Sequence, residues 1–60
     1  MNVVGINLEN GKIFESQQYT NENEKIKIEQ AIQNDADSSN VTVEIKSISD
    51  EELKALIVSS

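Results

Sequence analysis

Asn2-Val-Val-Gly-Ile-Asn-Leu-Glu9 alternates, with Val4, Ile6 and Leu8 on one side of an extended chain and Gly5, Asn7 and Glu9 on the other. A period of two is that of a half-buried strand. Asn10-Gly11 follows, a pair that accepts positive φ and so marks a hairpin turn. Lys12-Ile-Phe-Glu-Ser-Gln-Gln-Tyr19 then reads as the returning strand. Two loop geometries are open here. A two-residue loop pairs Leu8 with Ile13 and places Glu15 opposite Ile6. A three-residue loop with Gly11 at a bulge pairs Ile6 with Phe14 and keeps Phe14 on the face of Val4, Ile6 and Leu8. The second costs less, because it buries Phe14 and exposes Glu15; Ile13 then falls on the outer face.

The period changes at Thr20-Asn-Glu-Asn-Glu24. Asn21 can cap a helix, and Glu24 three residues on can close the box from its side chain. The helix is expected over Glu22 to about Asn34, ended by the loop-forming run Asn34–Asn40. Ile28, Ala31 and Ile32 share one face, with Ile26 nearly opposite at ~100° per residue. The local alternation Lys25-Ile-Lys-Ile-Glu29 leaves a strand as the alternative. Val41, Val43 and Ile45 next alternate with Thr42, Glu44 and Lys46 in a third strand running to Ile48. Ser49, with Glu52 three residues later, opens a second helix over Asp50–Val58. Asp50, Glu51 and Glu52 suit the positive end of its dipole. Leu53, Leu56 and Ile57 form its apolar stripe, broadened by Ala55 and Val58.

These elements predict an α+β fold, one β-β-α-β-α domain over residues 1–60. Its three-stranded sheet, antiparallel or mixed, holds an N-terminal hairpin and is packed by one or two helices. The expected core is Val4, Ile6, Leu8, Phe14, Ile28, Ile32, Val43, Ile45, Leu53 and Leu56. Ile13, Ile26, Ile48, Ile57 and Val58 are left over. A chain this short buries only ~60% of the surface its unfolded form exposes, so surplus apolar surface points to self-association. A two-fold dimer is the commonest form, with Leu53, Leu56, Ile57 and Val58 as its expected interface. The alternative is that this helix only covers its own sheet.

Composition narrows the function. The 60 residues contain neither cysteine nor histidine, and all five cations are lysines. Disulfides, thiolate zinc sites and the commonest general base at neutral pH are thereby removed. No nucleophile–base pair and no phosphate-loop glycine spacing is present, so the chain is expected to be non-catalytic, with no cofactor and no metal. Asp35-x-Asp37-x-Ser39 resembles the opening of a calcium loop, but Asn40 replaces the turn glycine and Lys46 stands where the bidentate glutamate belongs. Eleven carboxylates against five lysines give a net charge of −6. That balance repels nucleic acid and anionic membranes, and Phe14 and Tyr19 are too few for base stacking. No basic, apolar leader opens the sequence and Ala55–Val58 is too short to span a bilayer, so a cytoplasmic location is expected. Asn40-Val-Thr42 is then a chance glycosylation match.

Acidity keeps small proteins dispersed. It also lets carboxylates on a rigid scaffold stand in for phosphates. In size, in its Asn, Lys, Ile and Glu content, in lacking His, Cys and Arg, and in its acidic helices at Glu22–Asp37 and Asp50–Glu52, the chain resembles the small, acidic, early-expressed phage proteins that inhibit host enzymes or nucleoid proteins. Several of these are DNA-mimicking dimers with a small sheet and one or two helices. The resemblance implies a homodimeric inhibitor that occludes a basic, nucleic-acid-binding host protein. Glu22, Glu24, Glu29, Asp35, Asp37, Asp50, Glu51 and Glu52 would be its phosphate surrogates. The other expectation is a structural or adaptor module docking through apolar helix surface around Ile26, Ile48, Leu53, Ile57 and Val58.

Overall fold

A computed structural model describes residues 1–59. The order is β1 (Asn2–Asn7), β2 (Ile13–Gln18), α1 (Glu22–Ser38), β3 (Val43–Ile48) and α2 (Asp50–Ser59). This is the α+β arrangement that the alternation and the caps predict. The sheet order is β2-β1-β3, and β1 pairs antiparallel with both neighbours. Val3 and Val4 are successive and both fully buried. Successive strand residues point to opposite faces, so both faces of β1 are covered. On one face Val3 forms a core with Ile28 and Ile32 of α1, with Phe14, Tyr19 and Ile45 packed around it. The other face carries Val4 together with Asn2 and Ile48, which pair across the ladder. There Asn2 Nδ2 donates to Asp50 Oδ1 at 2.6 Å, tying the start of α2 to the sheet.

The hairpin differs from both expected loops. Five residues, Leu8–Lys12, join the strands: Gly11 N–H donates to the Asn7 carbonyl and Asn7 N–H to that of Lys12, each at 2.8 Å. Gly11 takes the positive φ, 72°. Asn7 and Asn10 side chains accept from Glu9 N–H and Lys12 N–H, both at 2.9 Å, and hold the turn. The bulge lies further along β2, where Gly5 faces Glu15 while Ile6 faces Ile13. Phe14 is the extra residue, and it packs on the α1 side with Val3. Phe14 is therefore in the core as expected, but not on the face of Val4 and Ile6. Leu8 leaves the expected core: it sits in the turn and is 56% exposed.

Two further differences concern helix α1 and Ile48. The run Asn34–Ser38 is helix, not loop, although Asn, Asp and Ser are poor helix formers. Burial of Ala36, one turn beyond Ile32, holds it. A left-handed Asn40 (φ 57°) then ends the helix, with Asn40 N–H on the Asp37 carbonyl and Val41 N–H on that of Ala36, a Schellman closure. Ile48, left over by the sequence pattern, is buried. At the other helix starts the expected caps form: Asn21 accepts from Glu24 N–H at 2.9 Å, and Ser49 from Glu52 N–H at 3.2 Å. The Glu24 carboxylate reaches back to Thr20, one residue before the cap.

Candidate functional site: carboxylates at both ends of the sheet

Topology gathers carboxylates that the sequence keeps apart. β2 and β3 both finish opposite Asn2, Gln18 on one side and Ile48 on the other. Helices α1 and α2 therefore both start at that end of the sheet, from opposite faces. Glu22 and Glu24 occupy the first turn of α1, and Asp50, Glu51 and Glu52 that of α2. All five are exposed. Negative charge there is stabilised by the helix dipoles, by ~0.3–1 kcal/mol each, so fold stability accounts for them without any partner.

Asp35 and Asp37 are different. They lie in the last turns of α1, which hold no basic residue, at the end where the dipole disfavours an anion. They are some 20 Å along the helix from Glu22 at ~1.5 Å per residue. Asp37 accepts from Gln33 Nε2 at 3.0 Å. Asp35 stands beside Glu15, which the β2 register places on the α1 face. Glu29 is half-buried, midway along α1. The eight predicted carboxylates thus form no single face: five gather at one end of the sheet, two at the other, and Glu29 lies between. Asp35 and Asp37 are also helical residues, a different backbone from the loop that a calcium site of that spacing uses. Among the described residues no group of three or more acidic side chains is placed to hold a metal ion, and no pocket is present.

Sequence reasoning did not connect Glu15 with Asp35. The hydrogen bond between the two carboxyls, then partial burial, then the neighbouring charge of Asp35, raise the Glu15 pKa above its ordinary 4.5. Glu15 thus holds its proton more tightly in the folded chain than in the unfolded one. The pair contributes stability at acid pH that is lost as pH rises through the raised value. E15Q removes this titration. Between about pH 4.5 and neutrality the melting temperature of the native chain should fall relative to that of E15Q, leaving E15Q the more stable at pH 7. Melting curves that track each other across that range would show that the two carboxyls do not interact.

On α2, Leu53 and Leu56 are half-buried, whereas Ile57 is 59% and Val58 82% exposed. The predicted apolar stripe is thus divided between the chain's own fold and the surface. On α1, Ile26 is 51% exposed, opposite the buried stripe as its phase predicts. Among the described residues no helix is long and apolar enough to cross a membrane. No family model, curated protein or solved structure matches the chain.

Proposed function

We propose that this chain is a non-catalytic, acidic protein-binding module that works as a homodimer. It would occlude the basic surface with which a nucleic-acid-binding protein holds its ligand, in the manner of a phage-type DNA mimic. The observation that carries this reading is the placement of Asp35 and Asp37. Carboxylates at the negative end of α1, one of them crowded against Glu15, cost stability, so solubility and helix capping do not explain them. Nor does a lysine offset any of the candidate carboxylates: among the described residues the one ion pair is Lys46–Glu44 at 3.3 Å, and it involves none of the eight.

Immobilised protein incubated with a bacterial lysate should retain basic DNA-binding proteins at low salt. It should release them as ionic strength rises through 0.1 M, where exposed charges are screened within ~10 Å. Added duplex DNA should displace the same proteins. D35N/D37N should weaken retention, whereas Val58→Asp should not. Retention indifferent to salt and to DNA, but abolished by Val58→Asp, would instead favour the adaptor reading, which the exposure of Ile57 and Val58 supports.

A further inference from the structure

A three-stranded sheet has two edges, and here they differ. The β2 edge is broken by the Phe14 bulge, a common protection against further pairing. The β3 edge is regular over all six residues, Val43–Ile48, with an unbroken register against β1. The direction of its free groups follows from the ladder. Leu8 N–H donates to the Thr42 carbonyl, so the even-numbered residues of this segment turn their N–H and C=O groups toward β1. Those of Val43, Ile45 and Ser47 turn outward. Among the described residues, none of these three backbones bonds outside the sheet.

The charges on this edge are arranged about Ile45. Glu44 and Lys46 flank it, both on the face opposite α1 and both about half-exposed, at 55% and 49%. A second β3, antiparallel and related by a two-fold axis beside Ile45, sets Ile45 against Ile45 with their outward N–H and C=O groups exchanged. Val43 then pairs with Ser47 on either side. Each Glu44 falls opposite a Lys46 of the other copy, twice over by symmetry. Centring the axis on Glu44 or Lys46 instead opposes like charges, which is unfavourable. The edge is self-complementary in one register. We propose that β3 is the homodimer interface, joining two copies into a continuous six-stranded sheet.

This assignment takes the two-copy state from the function proposed above, but requires no particular target. It also places the five-carboxylate end of one copy beside the Asp35/Asp37 end of the other, so that acid lines both ends of the joined sheet. It replaces the exposed part of α2 as the dimer contact.

Charge exchange on the full chain tests it. In sedimentation equilibrium the native chain should be a dimer, and E44K and K46E should each weaken it by roughly tenfold or more, because each opposes like charges at two places. The E44K result is the sharper, since that change lowers the net charge and any general repulsion between copies. An equimolar mixture of E44K and K46E should form a 1:1 heterodimer, because every cross-strand pair is then of opposite sign. By NMR, the amides of Val43, Ile45 and Ser47 should exchange slowly in the native dimer and rapidly in E44K, with the fold unchanged by circular dichroism. A dimer that survives both single changes but is split by Val58→Asp would overturn the β3 interface while leaving the two-copy state intact. A native chain that stays monomeric at millimolar concentration would overturn both, and the salt- and DNA-dependence of target binding would still be read separately.

Discussion

Ile32→Ala should leave a large share of the chain unfolded at 25 °C. Ile32 is 2% exposed and forms the buried core between α1 and the sheet with Val3 and Ile28. Truncating a buried isoleucine to alanine costs about 2–5 kcal/mol, part lost transfer energy and part cavity. A 60-residue domain holds only roughly 3–9 kcal/mol in all, at ~0.05–0.15 kcal/mol per residue. No disulfide restrains the unfolded state. Urea unfolding followed by circular dichroism would measure the loss. A change below about 1 kcal/mol, the range of surface substitutions, would mean that Ile32 does not hold α1 on the sheet.

Gly5→Ala should be the next most damaging single change, although it adds only one methyl group. A Cβ on Gly5 would lie 2.6 Å from Ile32 Cγ2 and 3.8 Å from Val43 Cβ. The first distance is well inside van der Waals contact. Cγ2 cannot swing aside, because a β-branched side chain in a helix is confined to essentially one χ1 rotamer. The backbone of β1 or α1 must move instead, at about 1–3 kcal/mol for an overpacked core. The cause is one pair of atoms, so a double-mutant cycle isolates it. Ile32→Val keeps Cγ2, and Gly5→Ala should cost as much in that background. Ile32→Ala removes Cγ2, and there the cost should disappear, measured in sulfate buffer to keep the variant folded. A Gly5→Ala penalty equal in all three backgrounds would place its origin in the strand backbone and not in the approach of α1.

Local order was legible wherever a signal lies within a few residues of its effect. Asn21 caps Glu24 and Ser49 caps Glu52 across three positions, and Gly11 takes the left-handed turn that Asn10-Gly11 announces. What the chain sums over distance was harder to read. The continuation of α1 through Asp35 and Asp37 rests on Ala36 finding the core and on Asn40 closing the last turn, against the propensity of every polar residue in between. That extension turns two expected loop carboxylates into charges on a helix end. The candidate site was legible as a set of acidic residues but not as a place.

The sequence by itself determined the elements, their order and the N-terminal caps of both helices, because alternation, phase and hydrogen bonding to a neighbouring N–H are local properties. Tertiary structure decided what local phase left open: the face that Phe14 takes, the exposure of Leu8 and the burial of Val3 and Ile48. One extra residue at Phe14 shifts the rest of β2, and two helices on opposite faces bury both Val3 and Val4 where an alternating pattern allows for one. It also decided where the charges meet: both acidic helix starts at one end of the sheet, Glu15 against Asp35, and Glu44 with Lys46 on an open edge. The physical reason is common to all three. Register and packing are settled by pairings between distant segments, and a shift of one residue exchanges inside for outside without altering any local signal.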